Sequence, residues 1–204
     1  MNFWDQVFDS DSYRYGTAPN AFVRAQAQQL PPHSRVLVPG DGEGRNGVWL
    51  ASQGHTVLSV DGSAVGLAKA RRLAAQQGVH IATLHTDFAD WTPAPASADA
   101  LVLTYVHLPP ALRQSLHQRL RQALVPGGWI LIEAFHPGQL AYSSGGPRDL
   151  DMLTTLAQLR TDFGPALQEH LAFEGVVALS EGAGHNGQAH VVRWLAQTPQ
   201  EPQA

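Results

Sequence analysis

The sequence contains no cysteine and only one lysine, Lys69, among its 204 residues. Without cysteine the chain can form no disulfide, no cysteine-ligated zinc site, no iron–sulfur cluster and no thiolate nucleophile. The formal net charge is −4 and no block of basic residues occurs, which argues against a nucleic-acid partner. The lack of cysteine is compatible with a reducing compartment.

Long apolar segments are also missing. No apolar run approaches the roughly 20 residues that a membrane helix requires. The N-terminal sequence MNFWDQVFDSDSYRYG is acidic and aromatic, and it lacks the basic start and the apolar stretch of a signal peptide. With a hydrophobic fraction of 44%, the chain is expected to be a cytoplasmic globular protein. We expect one domain over residues 1–198 and a loose tail at 199–204.

Short apolar segments alternate with segments of helical periodicity as far as residue 135. The predicted strands are 35–40, 55–61, 80–85, 99–106 and 128–135, and the predicted helices between them are 45–53, 63–78 and 109–124. Asn46 is a candidate N-cap, and Ser63 and Gly78 are the start and stop signals of the second of these helices. This alternation indicates an α/β fold with a parallel sheet that is covered on both faces.

The pattern changes after residue 135. A glycine-rich loop at 137–147 precedes a predicted helix at 148–163. Two longer extended segments follow near 167–180 and 188–196, joined by EGAGHNGQ. They predict an antiparallel hairpin at the end of the sheet.

The stretch PGDGEGRNGV follows the first strand and satisfies two glycine patterns. Gly42, Gly44 and Gly47 fit the dinucleotide fingerprint, whereas Gly40, Gly42 and Gly44 fit the S-adenosylmethionine loop. Asp61 ends the second strand and can accept hydrogen bonds from ribose hydroxyls. Both cofactors carry an adenosine, so Asp61 is compatible with both.

Residues further along the chain favour the second cofactor. Asp87 and Phe88 follow the third strand, where they can bind an adenine amino group and offer a ring face. Tyr105 and His107 come at the carboxyl end of the fourth strand, where ligands of such sheets bind. We expect no second catalytic domain that would supply a hydride acceptor.

Six segments carry a resemblance to a known family: YRYGTAPNAFV, GDGEGRN, VDGS, VPGGWILIEAF, GGPRDLDML and EGAGHNGQAHVVR. They resemble the class I S-adenosylmethionine-dependent methyltransferases, in particular the small bacterial enzymes related to tellurite-resistance and thiopurine methyltransferases. The resemblance covers roughly residues 12–196. It implies a Rossmann-like, seven-stranded, mostly parallel sheet in a three-layer α/β/α sandwich with a C-terminal antiparallel hairpin. It also implies methyl transfer from S-adenosylmethionine to a small soluble acceptor, with S-adenosylhomocysteine as product.

The resemblance also suggests which residues hold the cofactor. The candidates are Tyr15, Gly40, Asp41, Gly42, Gly44, Arg45, Asn46, Asp61, Gly62, Ser63, Asp87, Phe88 and Tyr105. Residues 1–30 correspond to a helical lid, with Tyr15, Gly16 and Asn20 at its hinge and with Trp4 and Phe8 as packing residues. The family's usual acid two residues before the first glycine is Val38 here. We expect Asp41 to take over part of its task of holding the cofactor's ammonium.

The acceptor residues follow less directly from the sequence. His107, Arg148 and His185 are the candidates for positioning the acceptor, and His136 and Tyr142 lie in the same predicted loops. A neutral histidine can take a proton near neutral pH, and an arginine can orient an anion. Thiols, thiopurine-like compounds and chalcogen oxyanions such as tellurite or selenite all fit. The remaining histidines show no metal-ligand spacing.

Two alternatives remain open at this point. A non-catalytic module that binds S-adenosylmethionine or S-adenosylhomocysteine would explain Val38. An NAD(P)-dependent oxidoreductase would need a catalytic Tyr/Lys pair, and Lys69 lies on the helix after Asp61, away from the expected region. The sequence is compatible with a monomer or a homodimer.

Overall fold

A computed structural model describes residues 2–200 and contains one seven-stranded sheet. The strands are β1 (Arg35–Pro39), β2 (Thr56–Asp61), β3 (Ala82–His85), β4 (Ala98–Thr104), β5 (Leu124–Phe135), β6 (Gln168–Glu181) and β7 (His185–Gln197). Their order is β3-β2-β1-β4-β5-β7-β6. The first five strands pair in parallel, and β7 runs antiparallel to both of its neighbours. The predicted α/β fold with a C-terminal antiparallel hairpin is confirmed.

Six α-helices accompany the sheet in the part of the chain that the structure describes. They are α1 (Phe3–Phe8), α2 (Ala21–Gln26), α3 (Arg45–Ser52), α4 (Ala64–Gln76), α5 (Pro110–Ala123) and α6 (Leu156–Phe163). Because successive strand side chains point to opposite faces, Leu37 and Leu101 pack in one apolar cluster, whereas Val36 and Val102 pack in another. Residues of α5 and α6 fill the first cluster, and residues of α2, α3 and α4 fill the second. The central strands of the sheet are therefore buried on both faces.

Of the two predicted helix caps, Ser63 is confirmed and Asn46 is wrong. Asn46 is not the N-cap of α3, since Gly44 holds that position with a φ of 85°. The Asn46 side chain instead accepts a hydrogen bond from the Asn20 amide and donates one to Thr104 Oγ1. Ser63 caps α4 as predicted, because its hydroxyl accepts from the Gly66 amide at 3.0 Å.

The predicted helix at 148–163 is wrong in its first half. Only a short 3₁₀ turn at Leu150–Met152 forms there, and α6 begins at Leu156. The Thr154 amide donates to the Phe135 carbonyl at 2.9 Å, which holds this part of the chain extended beside β5. Thr155 then starts α6 with a capping box that includes Gln158.

The hairpin inserts β7 between β5 and β6, so β6 forms the outer edge of the sheet. Because β7 is antiparallel to both neighbours, the end of β6 and the start of β7 lie at the same edge as the carboxyl ends of the parallel strands. The start of the predicted tail is held in place, since the Pro199 carbonyl accepts from the Gly127 amide at 3.0 Å. Residues 201–204 lie outside the described part. Among residues 2–200, no helix combines the length and apolarity needed to cross a membrane.

Candidate active site

The glycine-rich loop connects β1 to α3 in a conformation that needs glycine. Gly40, Gly42 and Gly44 have φ angles of 70°, 54° and 85°. These values lie in the left-handed region that glycine adopts without a steric cost. A Cβ at Gly44 would also lie 2.5 Å from the Cβ of Ala70, so this glycine lets the loop approach α4 closely.

Asp61 holds the loop from the end of β2. Its Oδ2 accepts from the Gly42 amide at 2.8 Å, and its Oδ1 accepts from the Ser63 amide at 2.7 Å. Burial raises the pKa of Asp61, while these two amides act in the opposite direction. Each carboxylate oxygen can accept a further hydrogen bond, so Asp61 retains the capacity to bind ribose hydroxyls.

Asp41 points into the fold rather than out of the loop. Its carboxylate accepts from the Ser59 hydroxyl at 2.5 Å and from the Gly47 amide at 3.2 Å. Burial raises the pKa of this carboxyl to about 6, against the effect of both hydrogen bonds. A Cβ at Gly47 would collide with the Asp41 carboxylate, which explains the third glycine of the dinucleotide pattern. The geometry makes Asp41 a brace of the loop, and contact with the cofactor's ammonium stays a prediction.

The N-terminal segment lies directly over the glycine loop. The Phe8 ring is buried against Gly42, where an added Cβ would come within 2.9 Å of Phe8 Cζ. Asp5 accepts from the Ser63 hydroxyl at 2.7 Å, and the Asn2 side-chain amide donates to the Gly62 carbonyl. Candidate residues 62 and 63 are thus covered by α1.

The adenine candidates lie after β3. Asp87 is exposed, and its Oδ1 accepts from the Ala89 amide at 2.8 Å. Phe88 is partly buried and packs against Trp91, with 6.1 Å between ring centroids. The carboxylate of Asp87 is therefore accessible at the ligand edge, while the ring of Phe88 is partly engaged in packing.

Aromatic rings surround His185 at the start of β7. The ring of His185 lies 4.5 Å from Tyr15, 4.3 Å from Tyr105 and 5.3 Å from Phe135 between centroids. His107 stacks on the other side of this group, 5.7 Å from Phe135. Tyr105 has a φ of 55°, which is unusual for a bulky residue and marks local strain at the carboxyl end of β4. We call these five residues the aromatic cluster.

A buried carboxylate links the aromatic cluster to the glycine loop. Glu181 accepts from Arg45 Nη2 at 2.8 Å and from Asn20 Nδ2 at 2.9 Å, and it lies 3.7 Å from His185 Nδ1. The same Asn20 amide donates to Glu133 at 2.7 Å. The sequence analysis missed Glu181 and Glu133. The spacing of Glu181 and His185 in EGAGH was the available signal.

Three buried polar atoms near this junction have no hydrogen-bond partner among residues 2–200. They are Arg45 Nη1, Tyr105 OH and His185 Nδ1. Leaving buried polar atoms without a hydrogen bond is costly, so such atoms indicate a place for a polar ligand. Together with the glycine loop and Asp61, Arg45 Nη1 fits a cofactor that carries a carboxylate and an adenosine.

The two histidines of the aromatic cluster are weaker bases than an ordinary histidine, and the buried tyrosine beside them is a weaker acid than an ordinary tyrosine. Burial, assisted by the nearby His185, lowers the pKa of His107 to about 4. Burial also lowers the pKa of His185, although Glu181 opposes the effect. The Tyr105 hydroxyl has a pKa well above its usual value of 10 because it is buried near Glu133 and Glu181. All three groups are therefore neutral near pH 7.

Arg148 is not brought to the aromatic cluster. It is exposed, and its guanidinium donates to the carbonyls of Tyr142 and Leu140 at 2.9 and 3.0 Å. Arg148 and Tyr142 instead line a basin of about 590 Å³ between residues 140–148 and the start of β7 at residues 186–188. Gly145 separates this basin from His185, since a Cβ there would lie 2.5 Å from His185 Cδ2.

His136 belongs neither to the aromatic cluster nor to the basin lined by Arg148. Its ring stacks on His190 at 4.2 Å, and its Nε2 is 3.8 Å from Glu174. Within the described residues, no group of three or more histidine or acidic side chains is arranged to hold a metal ion.

Comparison with known proteins adds a match to a domain model over part of the chain and a set of structures with a similar fold. A family model described as "Methyltransferase domain" matches residues 36–128. No curated protein sequence matches the chain. Three solved structures illustrate the similarity of the fold, each at less than 20% sequence identity.

The first of these structures is described as "Conversion of a Disulfide Bond into a Thioacetal Group during Echinomycin Biosynthesis". It is 16% identical with a TM-score of 0.78, and the alignment covers 98% of this chain and 92% of that one. TehB from Haemophilus influenzae is 19% identical with a TM-score of 0.71, and 96% of this chain aligns with 66% of TehB. The N-methyltransferase NodS from Bradyrhizobium japonicum WM9, in complex with S-adenosyl-L-homocysteine, is 16% identical with a TM-score of 0.71 and 97% coverage of both chains.

Proposed function

We propose that this chain is a class I S-adenosylmethionine-dependent methyltransferase that methylates a small acceptor through a soft anionic atom, with a thiolate as the first choice. The observation that carries the proposal is the lack of a strong base in the aromatic cluster. Thiopurine-like compounds and chalcogen oxyanions belong to the same class of acceptor. The match to a methyltransferase domain at residues 36–128 supports S-adenosylmethionine as the cofactor, and the proposal adds the acceptor.

The cofactor would be held by residues already in place. S-adenosylmethionine supplies an electrophilic methyl group on a positively charged sulfur. Asp61 would accept hydrogen bonds from its ribose, and Arg45 Nη1, which is buried and lacks a partner among the described residues, would donate to its carboxylate. Tyr15 and Tyr105 would present ring faces toward the positive sulfur.

The protonation states select among acceptors. A base whose conjugate acid has a pKa of about 4, as His107 has, takes little part in removing a proton from an ammonium or a hydroxyl. Transfer from a thiol of pKa about 8.5 to such a base would cost roughly 6 kcal/mol. A thiol needs no such help, because a few per cent is already thiolate at pH 7 and the thiolate is strongly nucleophilic.

The remaining task of the site is alignment. The aromatic cluster forms a tightly packed, largely apolar surface between the glycine loop and the loop at residues 143–147. Holding a nucleophile close to the methyl group and in line with the sulfur can supply several kcal/mol of the barrier reduction. A similar fold occurs in the structure that concerns the conversion of a disulfide bond into a thioacetal group, and that chemistry also involves sulfur.

The proposal is tested with a matched series of acceptors. Phenylmethanethiol, the corresponding alcohol and the corresponding amine, which is an ammonium near pH 7, are incubated with the enzyme and S-adenosylmethionine, and methylated products are identified by mass spectrometry. We expect methylation of the thiol alone, at a rate that rises with the thiolate fraction. Equal methylation of the amine or the alcohol would refute the choice of acceptor. Tight binding of S-adenosylmethionine without transfer to any soft acceptor would favour the non-catalytic module.

A further inference from the structure

Lys69 is buried in α4 with 4% of its surface exposed, although no role in the reaction involves it. Its ammonium forms an ion pair of 2.5 Å with Glu43, the residue between the second and third glycines of the loop. A buried ammonium is expensive unless it is fully paired and hydrogen-bonded. The contacts of Lys69 therefore indicate what the residue stabilises.

Most of these contacts are made to the N-terminal segment. Lys69 Nζ donates to the carbonyls of Phe8, Ser10 and Ser12 at 3.3, 2.9 and 2.7 Å. The ring of Tyr13 lies 5.0 Å from the ammonium, and its hydroxyl donates to the Lys69 carbonyl at 3.2 Å. One side chain thus fixes the backbone of residues 8–12, which contains no helix after Phe8.

Glu43 extends this connection in two directions. Its Oε2 accepts from the Arg14 amide at 2.7 Å, while its other oxygen pairs with Lys69. Its backbone belongs to the loop that faces Phe8. The ion pair consequently joins residues 8–14, the glycine loop and α4 at one point.

We propose that the Lys69–Glu43 ion pair is the latch that holds residues 8–14 over the bound cofactor and sets its residence time. Both are positioning residues, since they act through the segment and the loop rather than on the reacting atoms. The proposal rests on cofactor binding at the glycine loop. Loss of the latch is expected to let residues 8–14 open more often, because they then lose the ion pair that joins them to the glycine loop and α4.

The test uses Lys69→Met, which keeps the aliphatic length and removes the charge. We expect the dissociation rate of S-adenosylhomocysteine to rise about tenfold, with a matching rise in the KM for S-adenosylmethionine. The kcat at saturating cofactor should stay within about threefold of wild type, since the aromatic cluster is untouched. Glu43→Gln should raise the dissociation rate in the same direction, and the double variant should add little to Lys69→Met.

Limited trypsin digestion provides a readout that does not depend on the cofactor. The bond after Arg14 is held in wild type, because the Arg14 amide donates to Glu43 and its carbonyl accepts from the Gly184 amide. Lys69→Met should speed this cleavage about tenfold in the absence of ligand. Arg71→Met is the matched control, because it removes a positive charge from the same helix at an exposed residue that contacts Thr83.

The outcomes are separable. Unchanged cleavage after Arg14 and an unchanged dissociation rate in Lys69→Met would overturn the latch. A loss of kcat equal to the loss of kcat/KM would also overturn it, because it would place Lys69 in the chemical step. Absence of S-adenosylhomocysteine binding to the wild type would instead contradict cofactor binding at the glycine loop. A variant that unfolds is replaced by Glu43→Gln, which keeps the acceptor for Arg14.

Discussion

The carboxylate of Glu181 lies 2.8 Å from Arg45 Nη2, although 136 residues separate the two along the chain. Both side chains are only 8% exposed, so the pair is buried. The contact fixes the start of α3 to the end of β6 and leaves Arg45 Nη1 free of protein partners in the described part of the chain. The C-terminal hairpin therefore helps to shape the cofactor site.

Glu181→Gln should lower the free energy of unfolding at pH 7 by about 3 kcal/mol. Burial alone would raise the pKa of Glu181, but contacts with His185 and Arg45 outweigh it and bring the pKa to about 2, below the ordinary 4.5. A lowered folded-state pKa stabilises the protein above the unfolded pKa, and this stability is lost as the pH falls from about 4.5 to 2. Denaturant unfolding of both proteins at pH 7 and pH 3 measures the difference.

The difference in the free energy of unfolding between Glu181→Gln and wild type should become smaller toward pH 3. Asp151→Asn, at an exposed acid, is the control, and its free energy of unfolding should differ little from that of wild type at either pH. A difference in the free energy of unfolding that does not change with pH would mean that ionisation of Glu181 does not stabilise the folded state.

Asp41→Asn should remove a loss of stability that wild type shows as the pH rises, which is opposite in sign to the effect of Glu181. The pKa of Asp41 is raised from 3.8 to about 6, so the folded state holds this proton more tightly than the unfolded state. The wild type is therefore expected to lose up to about 3 kcal/mol of stability as the pH rises from 4 to 6, and the variant is not. Thermal or denaturant unfolding across this range provides the measurement.

The same variant tests the second role of Asp41. If the carboxylate supports the cofactor's ammonium or the shape of the loop, calorimetry should show binding of S-adenosylhomocysteine that is about tenfold weaker. Asp90→Asn, at an exposed acid after β3, should bind as wild type does. Equal affinity of Asp41→Asn and wild type would refute any contribution of Asp41 to cofactor binding.

His107→Gln should leave the rate of methyl transfer within a few-fold of wild type. With a pKa of about 4, His107 is neutral throughout the pH range of assay and is too weak a base for proton removal. The rate should instead follow ionisation of the acceptor between pH 6 and 9. A loss of about 10²- to 10⁴-fold, the usual contribution of a general base, would show that His107 has a chemical role.

Gly145→Ala should weaken acceptor binding without affecting the cofactor. The added Cβ would lie 2.5 Å from His185 Cδ2, and the φ of 130° is unfavourable for alanine. We expect the acceptor KM to rise about tenfold while the affinity for S-adenosylhomocysteine is unchanged. Gly187→Ala is the control, because its φ of 110° imposes similar strain and its nearest neighbour would be 3.7 Å away. Equal effects of both substitutions would assign the change to backbone strain.

Local sequence pattern was sufficient to predict the alternation of strands and helices and the position of the glycine loop. These features depend on neighbours in the chain: the apolar run Val36–Val38 forms a buried strand, and the glycines after it permit positive φ angles. Ser63 was found as the cap of α4 for the same reason, since a cap bonds to an amide three residues away.

Other features depend on contacts that form only in the folded chain. The first half of the predicted helix at 148–163 does not form, because the Thr154 amide donates to the Phe135 carbonyl of β5. Asn46 was predicted as a cap, but it bridges the N-terminal segment to the end of β4. Glu181 and Lys69 also contact Arg45 and the carbonyl of Ser12, which are distant in the chain, and the sequence around Glu181 indicates only its neighbour His185. Short-range pattern set the order of the elements, while long-range pairing of buried charges defined the site, because a buried charge is tolerated only where the fold supplies its counterion.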